Sequence, residues 1–312
     1  MIPMVASLLL LATLGCTDAV DELTTCDGGN LKACYVDGQA ALKRARPDYT
    51  SARTLFGKAC SPTYTGAGKP KDNIPEACAD LAMLVRDGKG GPRDLPRAAE
   101  LFEIACRGEI AGACVDLGLA VYDPPRGADV TPEPARAVEL FFNGCNQVDP
   151  EAAGDPLARA CDALGRAYEE GQGVENNRKD PSKASDLYIK ACDAKHAPGC
   201  VHAGRLVMAR KVPGKVEDAA ALFDRGCRLD ARHGCVELAQ LHEKKAWKEA
   251  TPEDASNYYQ KTCNIDPTRG CYEAAQLMEK GLVDSREGEI ESLYNLACEH
   301  GSAEACTRRN IE

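Results

Sequence analysis

Aromatic residues are scarce in this chain, 5% of its 312 positions with one tryptophan, so large ring clusters do not build its core. After the N-terminal stretch no apolar run approaches eighteen residues, which excludes a membrane-spanning helix from the mature protein. The cysteines never fall in a Cys-x2-4-Cys knuckle, and the five histidines form neither His-x-x-x-His nor His-Glu-x-x-His, so no metal ligand set and no cofactor motif is visible. Ser-x-x-Lys and Gly-x-Ser-x-Gly are both absent, which removes the usual serine nucleophiles. Positive charge is the minority sign: 38 Lys and Arg against 48 Asp and Glu give a net charge of −10. That balance disfavours nucleic acid and anionic lipid as main partners. With 44% hydrophobic and 28% charged residues, collagen-like, coiled-coil and disordered classes fit badly, and a soluble globular or repetitive protein remains.

Cysteine is abundant. Seventeen thiols point to an oxidising compartment, since metal ligation is not indicated. The N-terminus agrees: Val5 to Leu14 is an apolar run of signal-peptide length, followed at once by Gly15-Cys16. Thr13-Leu14-Gly15-Cys16 resembles a bacterial lipobox, in which cleavage precedes a cysteine that takes a lipid. Leu is usual where Thr13 stands, and no Lys or Arg precedes the run. The expected organisation is a signal peptide at 1–15, a tether at 16–25 after a lipidated Cys16, and a folded region at 26–312. Placement follows as an outer-membrane lipoprotein facing the periplasm or the surface, with plain secretion as the alternative. The membrane enters only through the lipid.

The other sixteen cysteines form consecutive pairs: Cys26/Cys34, Cys60/Cys78, Cys106/Cys114, Cys145/Cys161, Cys192/Cys200, Cys227/Cys235, Cys263/Cys271 and Cys298/Cys306. Six pairs are separated by 8 residues; the two wider ones hold Pro- and Gly-rich insertions, Ser61 to Pro75 and Gln147 to Pro156, which read as enlarged loops. Such spacing signals repeats of roughly 35 residues, the range of helical-hairpin solenoids. The second cysteine of a pair opens a unit and the first of the next closes it.

Other residues keep the same register. Four places after the opening cysteine stand Gly38, Ala82, Gly118, Gly165, Gly204, Ala239 and Ala275. Eight places before the closing cysteine stand Ala52, Ala98, Ala137, Ala184, Ala219 and Ala255, with Ile290 in the last unit. A bulky pair ends four places before it, as in Leu101-Phe102, Leu187-Tyr188 and Leu222-Phe223. Small residues let two helix axes approach, and the bulky pair fills the same face one turn on. Each unit is therefore two helices. Asp94-Leu95-Pro96, Thr131-Pro132-Glu133, Asp180-Pro181-Ser182 and Thr251-Pro252 supply caps and prolines where second helices begin. Gly88 to Gly91 and Gly171-Gln172-Gly173 end first helices, and do not read as a phosphate loop.

The unit from Ala160-Cys161-Asp162-Ala163-Leu164-Gly165 through Gly171-Gln172-Gly173 to Leu187-Tyr188 and Cys192 resembles a Sel1-like repeat, a relative of the tetratricopeptide repeat. The cysteine pairs make it similar to the cysteine-rich Sel1-like proteins secreted by Helicobacter. The resemblance covers Cys26 to Cys306, strong for Cys161 to Cys192, clear for Cys78 to Cys106, and degenerate for Cys34 to Cys60 and Cys271 to Cys298. It implies an all-α fold: an α-solenoid of about seven disulfide-linked antiparallel hairpins in a right-handed superhelix, with a concave face that binds partners. Some members carry a penicillin-binding or β-lactamase label.

Three readings of the sixteen cysteines compete. Zinc lacks its knuckle. Bridges within a hairpin, such as Cys114 to Cys145, strand Cys26 and Cys306. Bridges across each inter-hairpin turn use all sixteen, and a turn of eight residues brings Cα atoms to the separation a disulfide needs. This last pairing is the expected one.

Acidic residues follow closely behind opening cysteines: Asp80, Asp116, Asp162, Glu237 and Glu273. In the first turn of a helix they offset its dipole; as equivalent positions of a solenoid they form an acidic stripe, a candidate binding face. His196, His233 and His300 lie in Cys-x7-Cys turns and read as exposed loop residues, and Trp247 is expected to pack over its turn. The expected function is an exported scaffold of the bacterial envelope, holding a peptide or protein partner with a basic patch on its concave face. The alternative, from the family label, is a β-lactam or peptidoglycan hydrolase with no catalytic residue to name.

Overall fold

The computed structural model describes residues 25–60, 73–146, 150–230 and 234–309, with the side chains of 150–154 and 309 left aside. The stretch 1–15 expected as a signal peptide, Cys16, most of the expected tether and His233 lie outside these residues. Every regular element among the described residues is helical, and the chain divides into two compact units.

The first unit holds α1 (Leu31–Leu42), α2 (Tyr49–Ala59), α3 (Pro75–Asp87), α4 (Leu95–Arg107) and most of α5 (Ala111–Tyr122). Within it α1 packs on α2, α2 on α3 and α3 on α4. The second unit, Val121–Asp123 with Pro132–Glu312, holds α6 (Pro134–Cys145), α7 (Pro150–Glu170), α8 (Pro181–Asp193), α9 (Ala197–Met208), α10 (Val216–Leu229), α11 (Gly234–Glu243), α12 (Pro252–Cys263), α13 (Pro267–Glu279), α14 (Glu289–Glu299) and α15 (Ala303–Arg309). Each of these packs on the next in order, and the first helices α7, α9 and α11 also touch one another in sequence.

Start and stop signals explain most boundaries. Asp94 Oδ1 accepts from the Arg97 amide at 2.9 Å, Asp180 Oδ1 from Lys183 at 3.0 Å, and Thr251 Oγ1 from Asp254 at 3.1 Å. Each satisfies a backbone donor that a helix start leaves without a partner. Gly88 closes α3 in the left-handed conformation. Two expectations are corrected. Thr131 does not cap its helix: α6 starts at Pro134 behind Glu133, because Pro134 at the first position supplies the fixed φ and needs no donor. Within the Gln147–Pro156 insertion the described residues, from Pro150 on, are not a loop, for α7 starts at Pro150 and runs through Pro156. Alanines and glutamate there favour helix, and the internal proline lies near enough to the N-terminus to be tolerated.

Small residues and rings interlock as the register requires. The alanines eight places before closing cysteines are buried, and of each bulky pair the second member is buried, from Phe56 to Tyr294, joined by its first member only at Leu101. A Cβ on Gly38, Gly165 or Gly204 would stand 2.5, 2.7 or 2.6 Å from the ring of Phe56, Tyr188 or Phe223. The glycine is thus the floor on which the ring lies.

All sixteen paired cysteines sit at bonding distance across the inter-hairpin turns. Cys26–Cys34, Cys60–Cys78 and Cys106–Cys114 staple the first unit; Cys145–Cys161, Cys192–Cys200, Cys227–Cys235, Cys263–Cys271 and Cys298–Cys306 staple the second. Cα separations run from 4.4 Å at Cys26–Cys34 to 4.9 Å at Cys60–Cys78. A second staple went unread in the sequence. Two places before the closing cysteine, Lys190, Arg225 and Lys261 reach the carbonyl of the preceding closing cysteine: Cys145 at 2.6 Å, Cys192 at 3.1 Å and Cys227 at 3.3 Å. Each cation meets the negative end of the neighbouring second helix.

Candidate functional site: the first-helix face

The acidic residues do not sit where the dipole reading placed them. Only Glu237 stands in the first turn of its helix; Asp80, Asp116, Asp162 and Glu273 lie further in. Nor do they form a row of unmatched charge. In the first unit Gln39 donates to Asp80, and Arg86 Nη1 lies 3.3 Å from Asp116 Oδ1, whose side chain is only 9% exposed. In the second unit His202 Nδ1 lies 2.8 Å from Asp162 Oδ1, and Arg205 Nε donates to Glu237 Oε1 at 2.9 Å. Each carboxylate is met by the first helix of a neighbouring hairpin. Glu273 differs: its Oε2 is buried without a partner, and burial raises its pKa. Burial raises that of Asp80 too.

Eight places after the opening cysteine runs another row. Tyr188 donates to Glu169 at 3.0 Å, Tyr259 to Glu243 at 3.2 Å and Tyr294 to Glu279 at 2.7 Å. Where the ring is Phe56, Phe102, Phe141 or Phe223, the same position holds Leu42, Arg86, Tyr122 or Met208, and no carboxylate. Hydroxyl and acceptor therefore come together or not at all, as a buried hydroxyl requires. Burial and the facing carboxylate push all three tyrosines upward in pKa. Burial acts against ionised Glu169, but hydrogen bonds from Lys211 and Tyr188 outweigh it and hold its pKa below the usual range. Changing Tyr188 to Phe should lower stability by about 1–2 kcal/mol, as should Phe223 to Tyr, which sets a hydroxyl against Met208; the midpoint of denaturant unfolding measures both.

His196 is not the exposed loop residue expected. It is half-buried, with Nε2 3.9 Å from Asp162 Oδ2, and burial pushes its pKa down. His300 is exposed, as expected. Trp247 packs edge-on against His242, ring centroids 4.7 Å apart, and His242 Nδ1 accepts the Thr251 amide at 3.3 Å. Among the described residues no group of three or more His, Cys, Asp or Glu is placed to hold a metal ion.

A Sel1-repeat family model matches residues 29–61, 75–109 and 158–196, the hairpins α1/α2, α3/α4 and α7/α8. The chain carries Sel1 repeats. The first match falls on the hairpin from Cys34 to Cys60, which reads as degenerate from sequence and is a full repeat. Among solved structures, the chain is similar to a Sel1-repeat protein from Oxalobacter formigenes: TM-score 0.65, 16% identity, covering 92% of this chain and 77% of the other. It is also similar to a protective antigen of uropathogenic Escherichia coli with the same repeat fold, TM-score 0.58 and 21% identity, covering 92% of this chain and spanning 57% of that protein's length. No curated protein matches the sequence.

A Sel1-repeat array offers chemistry by repetition, because equivalent side chains recur along one face. Here the rows are hydrogen-bonding and charged. The cations two places before Cys192, Cys227 and Cys263 were legible only as a shared register; their carbonyl partners belong to the neighbouring hairpin.

Proposed function

We propose that this protein is an exported, protein-binding scaffold of the bacterial envelope, lipidated at Cys16, that holds a peptide or protein partner on the face of its first helices. The observation that carries the reading is the pairing itself. Within each unit, charged and amide side chains at one register are fixed by neighbouring hairpins, and disulfides hold those hairpins in place. A surface ordered in advance loses less entropy on binding. Eight disulfides support an oxidising compartment, and no helix among the described residues is long and apolar enough to cross a membrane. The carboxylates are matched internally, so the case for a basic-patch partner weakens; a mixed polar partner fits the face better.

The test is proximity cross-linking in the producing cell, comparing wild type with the swapped pair Arg205→Glu/Glu237→Arg. The swap keeps the bridge but inverts the face, so capture of an exported partner should fall at least tenfold while thermal stability stays. Equal capture by both proteins, or hydrolysis of nitrocefin by the purified protein, would overturn the reading, the latter in favour of the hydrolase.

A further inference from the structure

Arg166 breaks the pattern of the first-helix face. Two other first-helix arginines meet a carboxylate two places after the next opening cysteine: Arg86, eight places after Cys78, meets Asp116, and Arg205, at five places after Cys200 the register equivalent of Arg166, meets Glu237. Opposite Arg166 that place is held by His202, and the acid Asp162 stands on Arg166's own helix, one place after Cys161 instead of two. His202 and Asp162 then pair with each other.

Three carboxylates on α7 lie within helical reach of Arg166, and each is turned elsewhere. Asp162, four residues before, takes His202 and His196. Glu169, three residues after, accepts from Tyr188 and Lys211. Glu170, four residues after, accepts the Tyr122 hydroxyl at 2.8 Å. Arg166 makes no hydrogen bond or ion pair with the described residues, and its Nε is buried without a partner. What holds it is a ring: the guanidinium carbon lies 4.9 Å from the centroid of Tyr122. A stacked guanidinium keeps its edge for a planar, bidentate acceptor. Native folds rarely leave such a donor unmatched, and a cation makes the omission more costly.

We infer that Arg166 is a binding anchor for a carboxylate of the partner, an acidic side chain or a chain terminus, which completes an arginine position of this face that the described residues leave without an acid. The inference rests on the scaffold reading and adds to it the chemistry of one contact. A lysine of the partner does not fill the place, because it and Arg166 both offer only donors.

The test needs no identified partner. The Arg166 Nε–H resonance, assigned through bonds and checked by its loss in Arg166→Lys, is followed in the oxidised protein. Three probes are added in turn: N-acetylglutamate amide for a side-chain carboxylate, N-acetyl-dialanine for a chain terminus, and N-acetylglutamine amide as the neutral control. One or both carboxylates should move the resonance saturably, with half-saturation on the order of 1–10 mM, and the one that moves it further names the source. No movement with either carboxylate, or equal movement with the glutamine control, overturns the inference. Cross-linking separates the two proposals: a partner captured equally by wild type and Arg166→Gln sinks this anchor and leaves the scaffold standing. A saturable shift without any captured partner leaves Arg166 as a carboxylate site and sinks the scaffold, and with it the partner's part in the inference.

Discussion

Full reduction should unfold this protein at room temperature. Six of its eight disulfides close a loop with a sequence separation of only 8, as at Cys192–Cys200, and such a loop contributes about 2.5 kcal/mol in the chain-entropy model. Summed over eight bridges the term is on the order of 20 kcal/mol, above the roughly 5–15 kcal/mol by which ordinary domains are stable. Hairpins in a repeat array contact only their neighbours, so no distant core compensates. The reduced and alkylated chain should lose most of its far-ultraviolet helical signal, whereas the double variant Cys192→Ser/Cys200→Ser alone should lower stability by about 2–3 kcal/mol. A reduced chain with an undiminished helical spectrum would show that packing alone suffices.

The second large effect belongs to the glycine floor. Phe223→Ala should destabilise by about 3–5 kcal/mol, since the ring is 1% exposed and fills the seam between α9 and α10. Gly204→Ala tests the same contact from the other side. In an exposed helix this change gains up to about 1 kcal/mol; here the new Cβ would meet Phe223 at 2.6 Å, and overpacking of about 1–3 kcal/mol should prevail. Gly204→Ala combined with Phe223→Leu should recover part of the loss, because the smaller side chain clears the methyl. Additive losses in the double variant, measured by denaturant unfolding, would show that the two residues do not oppose each other as described.

Much of this was legible along the chain because a repeat states its contacts several times over. Cysteines spaced by 8 and the Ala, small and ring registers pick out hairpins even where one copy departs, as at Ile290. The caps at Asp94, Asp180 and Thr251 are local, and a residue three places on decides them. Where local signals conflicted, sequence reading failed: Pro156 looked like a loop marker, and helix propensity around it won. Polar side chains failed differently. Asp116 reads as a solvated acid of an early helical turn, but the group it faces, Arg86, comes from another hairpin. His196 reads as a turn residue, yet α7 brings Asp162 against it.

By itself the sequence determined which segments are helices, where they pair, and which face of each carries the rings, since all three follow from periodicities and from residues within one turn of each other. The tertiary structure alone decided how each charge is met. One place along a helix turns a side chain by about 100°, so moving an acid from the second to the first position after Cys161 sends Asp162 to His202 and leaves Arg166 on the Tyr122 ring. Such a choice depends on the neighbouring hairpin's position to within a few ångströms, because hydrogen bonds weaken steeply beyond their narrow range of distance and angle.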